Sequence, residues 1–187
     1  IKNPQVTGNV KTINILSGTF VVANTVSNLQ DYASFVSNNG VKQDVDTAKY
    51  GDSCLSFAYS HAYDLYTGSR TNTAQAGNYA HASSFTDYFN DNKNETLSRI
   101  YSEIMNGRPV VLQVNGNTAG TSRHFVTVVG FNSNVLNSGN LTEKDLLIMD
   151  SWDGKVERMD TEKSRFMTTG AACGKDYSGY YLRVLKA

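Results

Sequence analysis

Along the chain the spacing of apolar positions changes from strand-like to helical and back again. The opening IKNPQVTGNVKTINILSGTFVVAN carries β-branched runs at 10–15 and 19–23, which predict short strands. In VSNLQDYASFVSNNG the apolar residues Leu29, Tyr32, Phe35 and Val36 fall near helical spacing, and Gly40 supplies a stop. A turn-rich segment, VKQDVDTAKYGDS, then leads to Cys54. From Ser53 to about Tyr66 the period is helical again, through Leu55, Ala58, Tyr59, Ala62 and Tyr66. Asp52 or Ser53 can cap this helix, and Gly68 lies just past its end. Residues 69–82 are small and polar and read as loop, SSFTDYFND (83–91) reads as a short capped helix, and NETLSRIYSEIMNG as a longer one with Leu97, Ile100, Tyr101 and Ile104 on one face. After Pro109 four β-rich runs follow, at 110–115, 124–131, 145–152 and 179–186, most joined too closely for helical crossovers. Helices first and strands last predict an α+β fold with a mostly antiparallel sheet.

Composition narrows the function classes. The chain of 187 residues suits one domain, or two lobes sharing a core. Its 17 basic and 17 acidic side chains cancel, which argues against a nucleic-acid binder and gives no electrostatic draw toward an anionic membrane. No apolar stretch is long enough for a membrane-spanning helix. Low charge, at 18%, with abundant Asn, Ser, Thr, Gly and Tyr, suits a secreted or cell-surface bacterial protein. The chain opens with Ile1 and no basic-then-apolar leader, so a processed or trimmed start is expected. Two cysteines, Cys54 and Cys173, make either one bridge or one working thiol beside an inert one.

Cys54, His124 and Asp150 are the residues best placed for chemistry. Cys54 falls in the first turn of its helix, where free backbone N–H groups and the helix dipole favour a thiolate nucleophile. His124 begins one predicted strand and Asp150 ends the next. Antiparallel pairing therefore sets them side by side, the carboxylate orienting the imidazole. Taken singly, each has a plainer reading: a buried inert cysteine, a surface histidine, a turn-forming aspartate. Their coincidence at element ends is what favours a site.

The segments carrying these residues also resemble a known family. GDSCLSFAYSHA (51–62) is similar to the nucleophile motif of papain-like cysteine peptidases, with Leu55 in the position of the family's Trp and Asp52 in that of its second Gly. SRHFVTVVGF (122–131) resembles the family's His strand. DLLIMDSWDG (145–154) resembles its Asn-Ser-Trp-Gly segment, with Asp150 in the Asn position, and SGYYLRVLK resembles the strand after it. The order Cys, His, orienter also agrees. The short interval from Cys54 to His124 and the Asp look closer to compact bacterial branches, including bacteriocin-leader peptidases, which often cleave after a Gly-Gly pair. The resemblance implies one papain-like domain over 1–187. In it, 1–50 is an N-terminal extension or remaining pro-segment, 51–108 the mainly helical part and 109–187 the mainly β part.

It further implies a thiol-dependent hydrolase of peptide or amide bonds, working through an acyl-enzyme thioester. Cys54 is the nucleophile, His124 the base and acid, Asp150 the orienter, and Gln43 the side-chain oxyanion donor, with Gln30 the fallback. Ser53 and Trp152 line the substrate site, and Trp152 shields the His–carboxylate bond from water. A peptide or protein substrate is the implied partner, no cofactor is needed, and oligomeric state is left open. A cell-wall or host-protein amidase or deamidase, and a catalytically silent binding module, are the alternatives. Outside these motifs His61 lies near the same helix face as Cys54 but reads as a packed histidine, and His81 as a loop residue. The His and Cys spacings fit no zinc site. Asp44, Asp46 and Asp52 read as a solvated acidic turn, since they lack the pattern of a calcium loop. Cys173 reads as a loop thiol, and a bridge to Cys54 would silence the nucleophile.

Overall fold

A computed structural model describes residues 8–26, 28–115, 123–159 and 180–186. Cys173 lies outside them. Eight strands form one sheet: β1 (Val10–Ile15), β2 (Gly18–Ala23), β3 (Phe85–Asn90), β4 (Val110–Asn115), β5 (Arg123–Asn132), β6 (Leu146–Asp150), β7 (Val156–Arg158) and β8 (Tyr180–Leu185). Five helices accompany it: α1 (Leu29–Asn39), α2 (Thr47–Tyr50), α3 (Cys54–Thr67), α4 (Thr73–Ala76) and α5 (Lys93–Met105). The sheet order is β1-β2-β5-β4-β8-β3, with β6 also on β5 and β7 on β6. Among the described residues every pairing is antiparallel. This is the α+β, helix-on-antiparallel-sheet architecture that the sequence pattern predicts.

The alternation of side chains along the strands gives the sheet two apolar faces, each covered by helix. On one face Leu97, Ile100 and Ile104 of α5 meet Val110, Leu112, Val126, Val128, Leu182 and Val184. On the other, Ala58, Tyr59 and Ala62 of α3 meet Phe85, Val111, Phe125 and Leu185. Leu29, Tyr32 and Val36 of α1 extend that layer over Val22, Val129, Leu147 and Met149. The segment up to residue 50, set apart by sequence as an opening region, is built into this core: β2 pairs with β5, and α1 is buried by the same cluster.

The central strand is β5, which pairs with β4, β2 and β6. Around Gly130 both of its edges are occupied, by Val22 of β2 and Leu147 of β6. A Cβ on Gly130 would lie 2.4 Å from the Val21 carbonyl oxygen, so only glycine admits β2 this closely.

Three local expectations are corrected. The predicted helix at 83–91 is a single 3-10 turn, Ala82–Ser84, followed by β3. Phe85 is buried against α3, and six residues pair in register with β8, from Phe85↔Leu185 to Asn90↔Tyr180. A long-range partner strand here outweighs the local Ser-Ser-x-x-Asp capping pattern. The predicted loop at 69–82 contains α4, capped by Asn72 accepting from the Gln75 N–H at 2.9 Å. The strand expected at 145–152 stops at Asp150 because the chain turns there, with the Gly154 N–H bonded to the Asp150 carbonyl at 2.8 Å.

Candidate active site

Two elements bring the site together. The α3 helix begins at Cys54, and the first of its N–H groups to find a carbonyl in the preceding turn is that of Phe57, bonded to Ser53 at 3.1 Å. The N–H groups of Cys54 and Leu55 thus face outward at the positive end of the helix dipole. Ser53 occupies the N-cap position, but its side chain makes no capping bond. Thr127 of β5 donates to the Ala58 carbonyl at 3.1 Å, which fixes the helix against the strand that starts beside His124.

On the sheet side, Asp150 is in register with Val126, two residues along β5 from His124. A diagonal pair of this kind lies within reach on an antiparallel sheet. His124 Nε2 lies 2.6 Å from Asp150 Oδ1. An ionised carboxylate only accepts, so Nε2 carries the proton. Asp150 Oδ1 also accepts from the Trp152 N–H at 2.9 Å, which fixes the carboxylate in turn. The same imidazole is hydrogen-bonded to Cys54, and since Nε2 is committed to Asp150, Nδ1 is the nitrogen left for the thiol. Burial alone would lower the His124 pKa, but the hydrogen bonds and charges of Asp150 and Cys54 outweigh it and raise the pKa from 6.5 to about 9. Cys54 is a free, half-buried thiol.

Gln43 is corrected. It is buried, 1% exposed, and its Nε2 donates to the carbonyls of Tyr50 at 3.1 Å and Gly51 at 3.0 Å. Both amide hydrogens are spent, so none remains for an oxyanion. The side chain instead braces the turn that delivers the chain to Cys54. Gln30, the fallback, sits in the first turn of α1 and borders a separate groove with Ile13, Asn14 and Ile15. The role of Trp152 is also revised: the turn after Asp150 leaves its indole 41% exposed, and its contact with the site is made through the backbone N–H.

Sequence reasoning missed Ser151. Its hydroxyl, fully buried, donates to the Phe125 carbonyl at 2.6 Å and stands 3.2 Å from Gln43 Oε1. Its carbonyl accepts from the Gln43 N–H at 3.1 Å. One serine thus ties the end of β6 to the start of β5 and to the loop before Cys54. The signal was present in the Asp-Ser-Trp run, where only the neighbours were assigned.

The remaining candidates have structural roles. His61 is fully buried, its Nε2 donates to the Val41 carbonyl at 2.7 Å, and burial lowers its pKa. His81 stacks on Tyr63 at 3.8 Å and meets the Thr71 hydroxyl at 2.8 Å. Asp44 pairs with Lys42 at 3.1 Å, and Asp46 caps α2. Asp150, Asp153 and Glu157 bring carboxylate oxygens within 4.8 Å of one another, the one such acidic group among the described residues. Asp150 is already engaged by His124 and Trp152.

A thiol at a helix N-terminus, an imidazole on it and a carboxylate behind the imidazole form an array able to attack and cleave an acyl bond. The sequence model of the Peptidase_C39 like family matches residues 13–174. The chain belongs to this papain-like cysteine peptidase family. Searches of curated proteins and of solved structures find no match. The family match runs from β1 through β7, so it includes both the sheet and the helix that carries Cys54. Membership supports cysteine peptidase activity and a protein substrate.

Proposed function

We propose that this member of the Peptidase_C39 like family is a thiol-dependent hydrolase that cleaves peptide or amide bonds through an acyl-enzyme thioester. The observation that carries the reading is the single imidazole of His124, held by Asp150 on one side and bonded to Cys54 on the other. The Cys54 sulfur attacks the carbonyl carbon, and the carbonyl π pair moves onto oxygen, toward the Cys54 N–H. As the tetrahedral intermediate collapses, the C–N bond breaks and His124 delivers its proton to the leaving amine. A water molecule, deprotonated by His124, then hydrolyses the thioester and returns the thiol. Asp150 holds the ring orientation throughout both halves of the reaction.

The test is a panel of quenched-fluorescence peptides run beside peptidoglycan fragments, with wild type, Cys54→Ala and His124→Ala. Peptide cleavage is expected in wild type, falling by about 10³-fold or more in either variant. Intact mass should show an acyl adduct on Cys54 during turnover. Undiminished cleavage by Cys54→Ala would refute the assignment.

A further inference from the structure

With both Gln43 hydrogens committed, the carbonyl oxygen of a substrate at Cys54 needs another side-chain donor. The loop between α4 and β3 offers one. Tyr79 has a φ of 56°, the left-handed region that aromatic residues rarely occupy. Such outliers persist where surrounding contacts enforce them, and they gather at functional sites. Here the enforcing contact comes from the nucleophile's own helix turn. Ser56, fully buried and two residues after Cys54, accepts from the Tyr79 N–H at 2.6 Å while donating to the Ala76 carbonyl at 2.5 Å. The Tyr79 ring then lies edge-on to Tyr59 of α3 at 6.3 Å, and the side chain remains 47% exposed. A strained backbone is thus pinned to the first turn of α3 so that an accessible phenol stands beside it. Burial raises the Tyr79 pKa and the charge of Cys54 raises it further, which keeps the phenol a donor at neutral pH.

We propose that the Tyr79 hydroxyl, with the Cys54 N–H, donates to the substrate carbonyl oxygen as it becomes an oxyanion. The inference rests on the hydrolase reading and adds a catalytic residue to it. In the tetrahedral adduct the sulfur–carbon bond has formed, the former π pair resides on oxygen, and the thiol proton resides on His124. The phenol proton stays on Tyr79 and is shared with that oxygen.

Two probes separate this inference from the reading beneath it. Iodoacetamide alkylates the Cys54 sulfur without creating an oxyanion. N-acetylglycinal, small enough to need no subsite, forms a tetrahedral hemithioacetal that does. Tyr79→Phe keeps the ring and removes only the donor. The expected result is alkylation at pH 6 equal to wild type, with hemithioacetal affinity weakened about tenfold or more and kcat on a cleaved peptide reduced by about 10²-fold at unchanged KM. Hemithioacetal affinity within twofold of wild type, or a loss confined to KM, would overturn the donor role while leaving the hydrolase reading intact. Slow, His124-independent alkylation of wild-type Cys54 would overturn both.

Discussion

Asp150 Oδ1 accepts from two directions, the His124 ring at 2.6 Å and the Trp152 N–H at 2.9 Å, so its charge is aimed at one imidazole nitrogen. Removing it in Asp150→Ala should let the His124 pKa fall from about 9 toward 6.5, as followed by NMR of the imidazole, and should cost about 10²–10⁴-fold in kcat. The pH dependence of stability follows from the sign of the shift. A histidine whose folded pKa is raised stabilises the fold fully below 6.5, and that stabilisation is lost as pH rises through about 9. Urea unfolding of wild type should therefore weaken between pH 7 and 10 more than that of Asp150→Ala. Gln43 makes a prediction of the opposite kind. Gln43→Ala leaves the buried carbonyls of Tyr50 and Gly51 without donors and should cost about 1–3 kcal/mol in urea unfolding. At this scale Cys54, His124 and Asp150 were legible because each sits at the end of an element whose apolar period announces it. Gln43, Ser151 and Tyr79 were not. Where two amide hydrogens point, or which hydroxyl pins a left-handed tyrosine, depends on carbonyls and side chains that only the folded chain brings near.

The elements do the positioning, and β5 does most of it. It carries His124 at one end, receives Asp150 through β6, anchors α3 through Thr127, and closes against β2 at Gly130. Gly130→Ala should force β2 away from the strand, costing about 1–3 kcal/mol in thermal or urea unfolding, because the added Cβ meets backbone rather than a flexible side chain. A cost below about 0.5 kcal/mol would show that β2 can give way locally. Strands with long apolar or β-branched runs, such as VVLQVN and HFVTVVGF, were legible from composition. The edge strand FTDYFN was not. Its outward residues are polar and its helical capping signal is local, whereas the β8 partner that decides the matter is distant in sequence. The α3 helix was legible to within a residue, although the Ser53 side chain leaves the capping role unused.

For the whole molecule, one sheet covered on both faces separates stability from chemistry. Ile100, fully buried under α5, lies in the apolar cluster on the face away from α3. Ile100→Ala should cost about 2–5 kcal/mol by the cavity it leaves, while the folded fraction keeps its Cys54 reactivity. Among the described residues no helix is long and apolar enough to cross a membrane. The α+β class was legible from the order of periodicities, helices before strands. The integration of the first fifty residues was not, since pairing of β2 with β5 joins segments more than a hundred residues apart. The central claim for the molecule is that this scaffold holds Cys54 and His124 as one reactive pair. The measurement that tests it most directly is the rate at which iodoacetamide alkylates Cys54 across pH 4–9, read by peptide mass, in wild type and His124→Ala. A working pair predicts fast alkylation at pH 5–6 that disappears in the variant, whereas a free thiol gains reactivity only near pH 8.5. Alkylation of wild-type Cys54 that is slow at pH 5–6 and indifferent to His124 would contradict the account.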